Sequence, residues 1–216
     1  MGDLMALRHP SRSRTTTQLQ GRRVMLRPLA SSDFRAWSEV RRRNGEWLTT
    51  WEPQRQPHQT DPSTDRSTFA SRCIQRDRDR SAGTAYQFGL FVGDQVVGEI
   101  NLNNVIRGAM QSATIGYWID REQAGRAYVA EGVVLLFQYS FEQLGLHRVE
   151  ICIVPRNQRS RRVVEKLQIR DEGIAERYLE INGAWEDHVR YGFTAEEWSR
   201  RRAELLAAWL DRADEP

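Results

Sequence analysis

Apolar positions along this chain switch between a period of two and a period near 3.6, and the switches mark out its elements. Polar and apolar residues alternate in Arg23-Val-Met-Leu-Arg27 before Pro28, which predicts a short first strand. Ser32-Asp33 then offers a helix cap, and Phe34, Trp37 and Val40 follow at helical spacing, predicting a helix over 33–43 with one apolar stripe. Residues 44–63 hold Trp47, Leu48 and Trp51 among Pro53, Pro57 and Pro62. That stretch is too Pro-rich for a helix interior and too aromatic for a plain linker, so a packed loop beside a site is expected. Residues 64–80 predict a second, strongly charged helix that buries Phe69, Cys73 and Ile74.

Strand signals concentrate in the middle of the chain. Residues 86–92 and 95–103 flank Gly93-Asp94 and predict a hairpin. Residues 113–119 place Ile115, Tyr117 and Ile119 on one face and Thr114, Gly116 and Trp118 on the other, and the run stops at Asp120. Within 126–144, Val129, Val133, Leu136, Phe137, Ser140 and Phe141 recur at helical spacing until Gly145 ends the run. A buried strand over 147–154 follows, then a helix capped by Asn157 and running to about residue 167. Residues 169–178 and 186–193 read as extended around an Asn182-Gly183 turn, and Thr194 caps a last amphipathic helix to about residue 212. No internal repeat interrupts this alternation of helices with strands, an α/β pattern.

Length and composition narrow the picture. With 216 residues, 39% of them hydrophobic, the chain can bury one sizeable core. The single domain is expected over 21–216, because residues 1–20 are rich in Arg, Ser and Thr and read as a flexible N-terminal extension without the apolar run of a secretory signal. No stretch reaches the roughly 18 apolar residues of a membrane span. Lys plus Arg total 32 against 29 Asp plus Glu, a formal charge of +3, and nearly all the cations are arginines. The Arg-rich helices over 35–43 and 72–80 lack the interleaved aromatics of a single-strand binder, so no direct nucleic-acid binding is expected. Cys73 and Cys152 have neither C-x-x-C spacing nor nearby histidines, which suggests no disulfide framework and no metal site and fits a cytoplasmic setting.

The segment with most chemistry is the strand Gly116-Tyr-Trp-Ile119 followed by Arg121-Glu-Gln-Ala-Gly-Arg-Ala-Tyr128 and a long helix. A glycine-containing turn at a helix N-terminus exposes successive backbone N–H groups to an anion such as a pyrophosphate. Turns of this kind also recur in ordinary α/β domains.

The order of elements and a second motif resolve that ambiguity. Gly116-Tyr-Trp-Ile119 with Ala124-Gly-Arg-Ala-Tyr-Val-Ala-Glu131 resembles motif A of the GNAT acetyltransferases, whose acetyl-CoA loop is written Q/R-x-x-G-x-G/A. Aligned so, the family Gln or Arg falls on Ala124 and the second glycine-type position on Ala127. Gly145-Leu-His-Arg-Val-Glu150, Pro155-Arg-Asn-Gln-Arg-Ser160 and Arg162-Val-Val-Glu-Lys-Leu167 resemble motif B of the RimJ/RimL branch, the ribosomal-protein-alanine N-acetyltransferases, with Gln168-Ile169 in place of its usual Gly-Phe. Leu26-Arg27-Pro28, Gly183-Ala-Trp185 and Thr194-Ala-Glu-Glu-Trp198 extend the likeness over 21–198.

The resemblance implies a GNAT fold: a mixed, mostly antiparallel sheet of about seven strands flanked by helices, with acetyl-CoA wedged where two central parallel strands splay. It places the cosubstrate against Trp118, Ile119, Ala124, Gly125, Arg126, Ala127, Tyr128, Val129, Asn157, Ser160 and Arg162, with Arg126 and Arg162 on phosphates. Asn157 would hold the pantetheine arm as well as cap its helix, and Ser160 would lie near the sulfur to protonate the thiolate or position the thioester. Glu99, on a central strand, and Glu180, near a strand end, are the candidates for the general base, and either could equally be an exposed strand carboxylate. Trp47, Trp51 and Trp185 are expected around the acceptor groove. The activity implied is direct acetyl transfer in a ternary complex, by a monomer or homodimer, to the N-terminal amine of an alanine or serine in a ribosomal protein. A small amine such as an aminoglycoside, or a protein lysine, is the rival acceptor, and an acyl-CoA-binding regulator without turnover is the rival from another class.

Overall fold

The structure is a computed structural model of the chain and describes residues 17–211. A sheet of eight strands runs in the order β1-β2-β3-β4-β5-β6-β8-β7. Its members are β1 (Leu19–Gln20), β2 (Met25–Arg27), β3 (Tyr86–Val92), β4 (Gln95–Ile106), β5 (Ser112–Ile119), β6 (Arg148–Ile153), β7 (Arg170–Ile181) and β8 (Ala184–Thr194). The helices are α1 (Phe34–Arg43), α2 (Gly45–Thr49), α3 (Arg66–Ala82), α4 (Tyr128–Gln138), α5 (Gln158–Lys166) and α6 (Ala195–Trp209). Among the described residues no helix is long and apolar enough to cross a membrane.

Alternation along the strands sends their side chains to two cores. On one face Leu26, Phe88, Leu90, Ile100 and Leu102 pack with no exposed surface against α4, which is buried from Val129 to Phe137, and against Val164 of α5. Each such side chain contributes about 1.5–3 kcal/mol by leaving water. On the other face α1 and α3 bring Trp37, Val40, Phe69 and Cys73 over Phe91 and Val96.

Every strand pair is antiparallel except β5 with β6. These two parallel strands pair only at Ser112–Arg148, Ala113–Val149 and Thr114–Glu150. Beyond that point β5 stays bonded to β4 as far as Ile119 and β6 stays bonded to β8 as far as Ile153, so the strands part. Close approach on the β4 side requires Gly98, where a Cβ would sit 2.2 Å from the Trp118 carbonyl oxygen. The expected splay is therefore present, and the GNAT-like sheet stands.

Several boundaries differ from expectation. The sheet has eight strands rather than about seven, because Leu19–Gln20, inside the expected flexible extension over 1–20, pairs with Met25 and Leu26; residues 1–16 lie outside the described residues. The loop expected over 44–63 contains α2, which fits because Pro53, Pro57 and Pro62 all follow it. Ile74 is 55% exposed, since α3 turns Phe69, Arg72, Cys73 and Arg76 inward instead. The helix expected over 126–144 is α4 followed by a π-helical turn, Tyr139–Gln143, closed by Leu144 N–H donating to the Tyr139 carbonyl. At the departure from the family Gly-Phe, Gln168 keeps the left-handed backbone, with φ of +50°, and Ile169 is buried.

Candidate functional site

The gap between β5 and β6 opens into a cleft of about 840 Å³. Three walls surround it: the turn leading into α4, the first turns of α5, and the α2 segment.

The turn begins at Asp120, whose N–H bonds to the Val97 carbonyl and whose carboxylate caps the short turn Arg121–Gln123. Burial alone would raise the Asp120 carboxyl, but bonds from Arg43 and Asn44 outweigh it and hold the group below its ordinary value. Asn44 also accepts from Arg121 N–H at 2.9 Å, so the α1–α2 corner and the turn are clasped together. Gly125 and Ala127 both adopt left-handed backbone, with φ of +83° and +64°. No side chain caps α4, and its first bond runs from Glu131 N–H to the Ala127 carbonyl. The N–H groups of Tyr128, Val129 and Ala130, all residues lining the cleft, thus lack partners within the helix and form a positive helix end suited to phosphate. Glu131, in the same turn, does not compete: it is fully buried and accepts from Arg23 and from the Val24 N–H.

On the α5 wall, Asn157 Oδ1 accepts from Ser160 N–H at 3.1 Å, the cap expected from sequence. The Ser160 hydroxyl lies 2.9 Å from the Tyr117 hydroxyl, which also reaches the Ser160 carbonyl at 3.3 Å. Burial pushes the Tyr117 phenol well above its ordinary value, so it stays protonated.

The third wall is aromatic and rich in arginine. Arg41 grips Glu52 with two bonds of 2.7 Å and lies over the Trp118 ring. Arg159 and Arg121 both stack on Trp47, at 4.3 and 5.5 Å, and Arg156 stacks on Trp51 while pairing with Glu186. The Glu52 carbonyl accepts from Asn182 N–H, tying the β7–β8 hairpin to this wall. Glu52 is the one carboxylate among the described residues lining the cleft. Among the described residues no cluster of His, Cys, Asp or Glu could hold a metal ion.

Trp118, Ile119, Ala124, Gly125, Ala127, Tyr128, Val129, Asn157, Ser160 and Arg162 all line the cleft. Arg126 does not; its carbonyl accepts from Arg23. The left-handed pair at Gly125 and Ala127 also corrects the motif register: these are the two glycine-type positions, so the place of the family Gln or Arg is Glu122, not Ala124.

Neither base candidate reaches the cleft. Glu99 is fully buried away from it, accepting from Trp37 Nε1 at 2.5 Å, from Arg72 at 2.9 and 3.0 Å and from Arg76 at 2.5 Å. Burial opposes its charge, yet Arg76, Arg72 and these bonds hold its carboxyl at about 2, and its lone pairs are taken. Glu180 is an exposed carboxylate opposite Trp185 on the hairpin. Trp185 itself is 65% exposed and stands outside the cleft, whereas Trp47 and Trp51 line it. Sequence reasoning missed Tyr117, Glu52 and Arg159 as site residues. Tyr117 carried a signal, sitting one face away from Trp118 on a strand already assigned to the cosubstrate.

A sequence profile described as the acetyltransferase (GNAT) domain matches residues 23–170. The chain is 29% identical over 182 residues to the ribosomal protein uS5-alanine N-acetyltransferase of Escherichia coli (strain K12), covering 83% of this chain and 92% of that one. It is 45% identical over 105 residues to a Bacillus subtilis (strain 168) protein named "Probable N-acetyltransferase YjcK", a match that spans 48% of this chain and 58% of that protein. Among solved structures, Mycobacterium smegmatis RimJ in complex with CoA-disulfide superposes with a TM-score of 0.79 at 31% identity, covering 89% of this chain and 93% of that one.

Proposed function

The chain belongs to the GNAT acetyltransferase family, and from that premise we propose that it transfers the acetyl group of acetyl-CoA to a protein N-terminal α-amine, that of an alanine or serine opening a ribosomal protein in the cytoplasm. The observation that carries this reading is a cleft lined by chemically different groups, a hydroxyl pair formed by Tyr117 of β5 with Ser160 of α5 and a carboxylate beside α2.

The residues fit acetyl-CoA. The uncapped end of α4 suits a pyrophosphate, and Asn157 stands at the mouth of a gap whose two strand edges have backbone groups free to pair with a pantetheine arm. Arg162 and Lys166 line the same wall further along α5 and suit the remaining phosphate. Acetyl-CoA held there supplies a thioester whose acyl carbon takes the amine's lone pair as the sulfur departs. Ser160 Oγ–H, held by Tyr117, delivers the proton that the departing sulfur needs and regains one from the second proton that the nitrogen sheds as the amide forms. An N-terminal ammonium titrates near pH 8, so only modest help is required to free its lone pair. Glu52 takes that proton, directly or through water, and the half-buried Arg41 fixes its orientation.

A polycationic aminoglycoside fits less well, because it needs an acidic pocket and Glu52 is already paired. The test is thiol release from acetyl-CoA with peptides that begin Ala or Ser, the same peptides blocked at the N-terminus, and an aminoglycoside. Turnover confined to free N-termini supports the proposal. Turnover of the drug alone would replace it with a small-amine enzyme, and tight CoA binding with no turnover would replace it with a regulator.

A further inference from the structure

Resting on the N-terminal acetyl transfer proposed above, we infer that the acceptor carries a carboxylate close behind its amine, an Asp or Glu within its first few residues, read by the arginines around Trp47. The cleft is lined by five cationic residues against one carboxylate, and that carboxylate, Glu52, is ion-paired with Arg41. Arg162 and Lys166, further along α5, suit the phosphates of the cosubstrate. Arg159 and Arg121 are placed differently. They approach Trp47 from two different elements, one from α5 and one from the turn after β5, and among the described residues neither has an ion-pair partner.

Stacking uses the face of a guanidinium and leaves the N–H groups in its plane free. Two guanidinium groups thus stand within 4.3 and 5.5 Å of the Trp47 ring centroid without a carboxylate partner among the described residues, and a guanidinium is able to take a carboxylate. Their positive field also opposes the approach of an ammonium. An acceptor with a nearby negative charge cancels that repulsion, and one with basic residues there adds to it. An exposed charge-assisted bond is worth about 1.4 kcal/mol here, or tenfold in kcat/KM.

Three peptides that begin with Ala and differ only in carrying Glu, Gln or Lys at the next two positions test this, with kcat/KM read by thiol release. The expected order is Glu above Gln above Lys, with at least tenfold between the extremes at low salt and less at high salt. Arg159→Glu and Arg121→Glu should each shrink or invert the Glu-to-Lys ratio. Equal turnover of the three peptides by the wild-type enzyme overturns the inference and leaves N-terminal acetylation standing. A ratio that survives both reversals while the KM for acetyl-CoA rises overturns it too, by assigning these arginines to phosphate. No turnover of any free N-terminus would instead sink the reading on which it rests.

Discussion

The hydroxyls of Tyr117 and Ser160 meet at 2.9 Å across the gap where β5 and β6 part. Burial keeps the phenol protonated, and its oxygen lies within reach of both the Ser160 hydroxyl and the Ser160 carbonyl, so Tyr117 holds the serine side chain in place. Removing the Tyr117 hydroxyl while keeping its ring should release the serine rotamer without emptying the wall. Tyr117→Phe is expected to lower kcat about tenfold, with the KM for acetyl-CoA changed less than twofold, and Ser160→Ala to lower kcat by about ten- to a hundredfold. Steady-state thiol release checks both, and an unchanged kcat in Ser160→Ala would remove the serine from the proton path.

Glu99 is a stability residue, and its pH dependence has a defined sign. Its folded carboxyl lies at about 2 against an ordinary value of 4.5, so the stabilisation is fully present above about 4.5 and is lost as the pH falls toward 2. Glu99→Gln leaves Arg72 and Arg76 without their counter-ion, at a cost of about 3 kcal/mol, the low end for breaking a buried pair because Arg72 keeps 28% of its side chain exposed. The expected result is a Tm lower by on the order of 10 °C at pH 7, a flatter fall of Tm between pH 5 and 2, and a kcat within about threefold of wild type in the folded enzyme. A large loss of kcat at unchanged Tm would return Glu99 to the chemistry.

That residue also shows where the sequence runs out. The strand carrying Glu99, the Asn157 cap and the Thr194 cap were all legible because each is a local pattern of period or spacing. The fate of the carboxylate was not, since it is decided by Trp37, Arg72 and Arg76, which lie 62, 27 and 23 residues upstream. Helix α3 reads as charged and amphipathic with Ile74 inward, yet it turns Arg72 and Arg76 inward, half-buried, onto the Glu99 carboxylate. Glu52 was hidden for a similar reason. Nothing in a Pro-rich stretch shows that its carbonyl is tied to Asn182 and its carboxylate to Arg41.

With Glu99 and Glu180 outside the cleft, the proposed reaction assigns the acceptor's proton to Glu52. Glu52→Gln keeps the shape and removes the charge. At pH 7 its kcat/KM for a peptide acceptor is expected to fall about tenfold, and the deficit should close toward pH 9, where solvent frees the amine unaided. Rates measured between pH 6 and 9 decide the matter: a deficit of the same factor at every pH would make Glu52 a structural partner of Arg41 only.

The last prediction concerns the backbone that would face the phosphates. Ala127 holds φ of +64° immediately before α4, a conformation costing an L-residue about 1–2 kcal/mol and a β-branched one more. That turn brings Tyr128, Val129 and Ala130 to the cleft at a helix start that no side chain caps. Ala127→Val should relax the turn out of the left-handed region and re-aim their N–H groups, weakening acetyl-CoA binding at least tenfold while lowering Tm by only a few degrees. Ala127→Gly adopts the same φ without cost and should bind as tightly as wild type or tighter. Calorimetric titration with acetyl-CoA distinguishes the two, and equal affinity in all three proteins would mean that the turn after β5 does not carry the phosphate.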